Sequence, residues 1–508
     1  MEIEIQIASK EETLTAAAEL LTTQFRIERS YAIHLATNQI KPHLDQFKDS
    51  VWTLIESPYV DKVYRDSYYH YFSSKLGNYP KDCIKLSFFD GQIEYNDFRD
   101  SQKIEDLQNR FYGFIVIRPT EPIIIGRSTI SPRGLKSNNF RCCVSEIQTS
   151  VNSIKLKVKG FPHSSQDTET LTCAETTIWA LMEYFANRYP EYKPVLPSGI
   201  IETLKKASAE RQVPSKGLNI QQMSFALREF GFGTRIYSEA SFKSEFLPLL
   251  STYVESGIPV IVALENRHKG GNIGHAILCI GHEIISHDQI DSLNIHQETN
   301  VSVSENLVKR KISVFDFHDI RKQFIFIDDN LPAYQRGLLK SPVLHYADRN
   351  WQNCEITHFI VPLYPKIHLE AFEAKNYCKR FLLNHFPEIP DGSEIFMRFF
   401  LASSRSYKNY AGLEAEFDED MRELICGTAM PKFIWICELT TKALIKTQKA
   451  NGLIILDATE ANNLSNKPLI HGIFLNKLIS FDTNIGSFIK GVFPFSNFKT
   501  FPKNLTSF

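Results

Sequence analysis

An α+β protein with one central unit and two flanking mixed units is the fold class this sequence predicts, on three observations. The segment Ala174 to Asn187 lacks proline and glycine and repeats Ile178, Leu181, Met182 and Phe185 at three- and four-residue spacing. That is the period of a helix with one buried face. Apolar runs bounded by turn residues read as strands: Phe111 to Arg118, Lys322 to Ile327, Ile356 to Leu363 and Gly452 to Asp457. The 508 residues are 43% hydrophobic and 23% charged, which predicts packed cores and two to four domains.

Along the chain, residues 1–155 read as an N-terminal mixed α/β domain. Glu12 to Gln24 is helical in pattern, and Val63 to Phe72 is a tyrosine-rich helix packed on its own domain. Phe111 to Arg118 and Ile123 to Ile125 are strands, and Phe140 to Ile147 pairs with Ser153 to Val158 as a hairpin feeding the helix at 173. Residues 156–365 form the central domain: the 174–187 helix, a short helix near Met223 closed by Gly231, and strands at Gly274, Lys322 and Ile356. A long polar insertion, 284–321, leaves the strand at Gly274 and reads as a mobile cover. Residues 366–508 form a C-terminal mixed α/β domain with a helix from His368 to His385 and strands at Glu394, Phe433 and Gly452. Its tail from Gly486 carries six phenylalanines, which predicts that it packs on the body. Neither boundary has a Gly/Ser- or Pro-rich linker, so all three units are expected to pack together.

The chemistry sits in the central third. Cys173 opens the 174–187 helix, with Thr170 and Thr172 as candidate caps, and His275 starts an apolar strand. The unpaired N–H groups and positive dipole end of a helix stabilise a negative sulfur beside them. A nearby imidazole takes the thiol proton and later returns it to a leaving group. Asp328 or Asp329, ending the strand Lys322 to Ile327, is the candidate that orients the imidazole, with Asp328 preferred by position. Gln166, seven positions before Cys173, is the candidate oxyanion donor together with the Cys173 N–H.

The ordered set Gln166, Cys173, Gly274-His275 and Asp328 resembles the papain-like cysteine peptidases, and most the double-glycine leader peptidase branch with its stand-alone relatives. The resemblance covers roughly residues 160–345. It implies a papain-like central domain, with a helix bearing the cysteine and an antiparallel sheet bearing the histidine and aspartate. It also implies hydrolysis of a peptide or isopeptide bond. Glu255 to Leu264 is similar to the strand that precedes the histidine strand in that family, and Lys216 to Phe232 is similar to a second helix. Ala174 stands where the family often has glycine, Gln166 is one position further from the cysteine than usual, and Pro332 comes later than the family's Asp-Pro pair. A thiol acyltransferase or amidase, an inactive binding module on the same fold, and a scaffold with a buried Cys173 are the alternative readings.

Composition excludes other classes. The formal net charge of −1 and the lack of a long basic run give no field for nucleic acid or an anionic membrane. The alternating acidic start Met1 to Ile7 is not a leader peptide, and no apolar stretch reaches a span's length. Nine cysteines without regular spacing predict free thiols and a cytoplasmic location. Gly-rich phosphate loops and recognised zinc spacings are absent, so no cofactor and no metal are expected. The expected partners are a peptide or protein substrate and a regulatory protein acting through the flanking domains.

Overall fold

The structure, a computed structural model, describes residues 3–77, 79–207, 212–214, 217–266, 273–293, 300–305, 308–461, 466–482 and 484–508, with the backbone alone at 300–305 and 308–311. Lys216 and the run Gly270-Gly271-Asn272, which belong to the family resemblance, lie outside the described residues. The chain is a mixed α+β protein, 35% helix and 33% strand, built on three large sheets.

The first sheet is antiparallel throughout and has seven strands, ordered Glu4–Ser9, Val51–Tyr59, Cys83–Asp90, Phe111–Arg118, Ile124–Ile130, Ile154–His163 and Ser145–Val151. Residue 155 therefore falls inside a strand of this sheet. The expected hairpin is Ser145–Val151 with Ile154–His163, while Phe140–Cys142 leaves it and pairs with the histidine strand. Proximity to that strand outweighs chain continuity here, because Gly281 lets the two backbones meet.

The second sheet carries the site. Its order is Gln335–Gly337, Phe324–Ile327, Gly274–Glu283, Val260–Asn266, Cys354–Leu363 and Gly233–Ser238, all antiparallel. Side chains alternate between its faces. Ile261, Leu278, Ile280, Ile325 and Ile360 join a core shared with the first sheet, whereas Val260, Val262, Ile277, Phe326 and Phe359 join a core shared with the C-terminal unit. A sheet covered on both faces gives the near-continuous apolar runs seen in the sequence.

The third sheet runs Asn300–Glu305, Val308–Asp316, Glu394–Ser403, Phe433–Thr440, Gly452–Asp457, Leu469–Phe474, Lys477–Asp482 and Ser487–Val492. Its first two strands come from the insertion at 284–321. This part of the insertion is a hairpin whose second strand pairs in parallel with Glu394–Ser403, so it extends the C-terminal sheet. The chain end returns to the second sheet, where Thr506–Ser507 pairs with Phe140–Cys142. No described helix is long and apolar enough to cross a membrane.

Candidate active site

Asp167 shapes the loop that presents the cysteine. Its carboxylate accepts from the backbone N–H groups of Glu169, Thr170 and Leu171 at 2.7–3.0 Å and from the Thr170 hydroxyl at 2.6 Å. The buried Arg118 guanidinium lies 3.4 Å from the same carboxylate and donates to the Ser165 carbonyl at 2.6 Å. Thr170 thus ties the loop, and Thr172 caps the helix Cys173–Arg188 through a reciprocal box with Glu175. Cys173 is the first helical residue and is half-buried.

The helix is buried on every side from Ala174 to Phe185, not on one face as its period predicts. The central sheet covers one side and the N-terminal hairpin another. Glu183 is accommodated by pairing with Lys62 at 3.2 Å and Arg127 at 3.5 Å. The Thr177 hydroxyl bridges the carbonyls of Cys173 at 2.7 Å and Ala276 at 3.0 Å, which pins the first turn to the histidine strand.

The structure brings Cys173, His275 and Asp328 together. The Cys173 thiol lies close enough to the His275 ring to favour its charged form, and His275 Nε2 lies 3.0 Å from Asp328 Oδ1. Asp328 also accepts from the Asn330 N–H at 3.0 Å and from the Tyr346 hydroxyl at 2.7 Å. The Trp351 ring stands edge-on to His275 at 5.0 Å and stacks on Tyr346 at 4.9 Å, screening the His275–Asp328 bond. Asp329 lies further off, its Oδ1 3.5 Å from Nε2.

The electrostatics follow from this packing. Burial alone would lower the His275 pKa, but the Asp328 hydrogen bond, the Cys173 thiol and the two carboxylate charges raise it well above the ordinary imidazole value. Burial pushes Asp328 up, yet His275, the Asn330 N–H and Tyr346 bring it below the usual aspartate value. Asp329 is held by neither Asn330 nor Tyr346; burial and the neighbouring Asp328 push it up to about 7, against the pull of His275 and of its own backbone N–H.

Gln166 stands at the same site but points its amide at Asn330, donating to Oδ1 at 2.8 Å, and the Asn330 amide is 3.5 Å from His275 Nε2. Tyr346, Trp351 and Asn330 are residues the sequence reading passed over. Asn330 lies on a turn, Tyr346 in a loop and Trp351 in the one-turn helix Arg349–Gln352, none with a hydrophobic period; only the scarcity of tryptophan, four in the chain, marked one of them. All nine cysteines are free, seven of them buried, with Cys426 the exposed one. No protein-family model matches the chain, and no curated protein matches it.

Proposed function

We propose that this protein is a cysteine hydrolase that cleaves a peptide or isopeptide bond, through a papain-like central domain spanning about 156–365. The observation that supports this best is the relay itself: a thiol at a helix start, beside an imidazole whose Nε2 is held by a carboxylate at 3.0 Å. That arrangement moves a proton in both directions along one line.

In this reading the Cys173 proton passes to His275 and the sulfur attacks the substrate carbonyl carbon. The carbonyl oxygen takes the negative charge, stabilised by the Cys173 N–H and by Gln166. An amide carries two donor hydrogens, so Gln166 keeps one beyond its bond to Asn330. As the C–N bond breaks, imidazolium gives its proton to the leaving amine and a thioester remains. Water then attacks the thioester, His275 takes its proton, and the thiol is released with the acid product. Asp328 holds the imidazole in register and stabilises its charged form. The free thiols suit a reducing, cytoplasmic setting. The 1–155 and 366–508 units would select the peptide or protein substrate, or carry a regulatory partner.

The test is digestion of a mixed peptide library by the full-length protein, read by mass spectrometry. New termini should form with the wild type and be absent with Cys173→Ala. Equal cleavage by both, or cleavage by neither under any condition in which the thiol reacts with an electrophilic peptide, would sink the peptidase assignment.

A further inference from the structure

We infer that His275, Asp328 and Asp329 form a site for one divalent transition-metal ion, Zn2+ by its donor chemistry, on the side of the imidazole away from Cys173. The first observation is Asp329 itself. Its side chain is 3% exposed, yet neither carboxylate oxygen has a hydrogen-bond partner on any other residue. A buried carboxylate without donors is strongly disfavoured. A proton relieves one oxygen; a divalent ion neutralises both carboxylates at once.

The second observation is geometric. The three side chains each offer one ligand atom, all within 4.8 Å of one another. Nε2 lies 3.0 Å from Asp328 Oδ1 and 3.5 Å from Asp329 Oδ1. A tetrahedral ion with bonds of about 2.0–2.1 Å spaces its ligands about 3.3 Å apart. The two histidine–carboxylate separations match that spacing to within a few tenths of an ångström, and the two carboxylates lie within 4.8 Å of each other. One imidazole nitrogen and two carboxylate oxygens are donors that zinc takes, with water as fourth ligand. Tyr346 and the Asn330 N–H, bonded to Asp328, already orient that ligand.

The consequence for activity rests on the hydrolase reading; the binding does not. An ion on Nε2 takes that lone pair, so the ring's single proton resides on Nδ1. Imidazole in that form cannot accept the thiol proton. Zn2+ would thus act as a reversible inhibitor, released by chelation, without touching the sulfur.

Equilibrium dialysis of the full-length protein against Zn2+, with Co2+ absorption as a second readout, tests the site. The expected result is one ion per chain, retained in Cys173→Ser and bound about tenfold or more weakly by Asp329→Asn. Visible Co2+ bands should appear without a thiolate charge-transfer band in the wild type, a readout that needs no variant. Failure to bind one ion, binding unchanged by Asp329→Asn, or a thiolate band that vanishes in Cys173→Ser would each overturn the site. Electrophile labelling of Cys173 in chelator-treated protein reports on the hydrolase reading separately. Labelling without metal binding removes only the metal site, and metal binding without labelling removes only the inhibition.

Discussion

His275 is the residue on which opposing forces meet. Burial favours its neutral form, and Asp328 with the thiol favours its charged form; the second group prevails. A raised imidazole contributes stability that is full below the ordinary histidine range and is lost as pH rises through the raised value. Asp328 is lowered, so its contribution is present above the ordinary aspartate range and lost as pH falls. Asp328→Asn should move the alkaline midpoint of His275, followed by NMR of the ring protons, down by about one unit or more; an unmoved midpoint would show that the carboxylate is not what raises it. Asp329 has the opposite sign. Its carboxyl is raised to about 7, so its contribution is full below the ordinary aspartate value and lost as pH rises through about 7. Asp329→Asn should be the more stable protein above that pH by an amount on the order of a few kcal/mol, and denaturant midpoints taken across the acid-to-neutral range would reveal a parallel, pH-independent difference if this is wrong.

At the scale of elements, the helix Cys173–Arg188 shows what its sequence did and did not convey. Its start was legible because Thr172 and Glu175 form a capping box just before an apolar period. Its burial on all sides was not, because the polar Thr177 and Glu183 are satisfied by partners distant in sequence, Ala276 and Lys62. Asp167 was hidden for the same reason: its role depends on Arg118, far back on the first sheet. Removing it strands a buried guanidinium. Asp167→Ala should cost about 3–5 kcal/mol, and Thr172→Ala about 1 kcal/mol. Urea unfolding of the two variants checks the ranking; a Thr172 effect larger than the Asp167 effect would contradict the loop account.

On the whole-molecule scale, Cys173, His275 and Asp328 were legible because each stands at the edge of a regular element, where local pattern is clearest, whereas Gln166 stands in the loop beyond Ile154–His163. The assembly of sheets was less so. The insertion at 284–321, expected as a mobile cover, lends two strands to the C-terminal sheet, because β pairing is set by neighbours in space rather than in sequence. The C-terminal unit is locked to the central one by Arg398, which donates to Glu255 at 2.8 Å and Glu438 at 2.7 Å, and by Asn504, whose amide reaches the Glu255 and Leu401 carbonyls. Arg398→Ala removes the cation shared by two buried carboxylates, leaving Glu255 its His282 contact and Glu438 the Phe501 N–H, and should lower stability by about 3–5 kcal/mol. Its tryptic digest should release the 366–508 unit early, while the wild type keeps all units associated after a cut within 286–321.

The central claim is that Cys173 is the activated thiol of this chain, and competitive alkylation tests it most directly. Native protein is exposed to limiting iodoacetamide near neutral pH, and the modified peptides are mapped by mass spectrometry. Half-buried Cys173 should react first, ahead of the exposed Cys426 and the seven buried thiols. Its rate should fall about a hundredfold or more in His275→Ala. Faster modification of Cys426, with Cys173 untouched until the protein is denatured, would contradict the account.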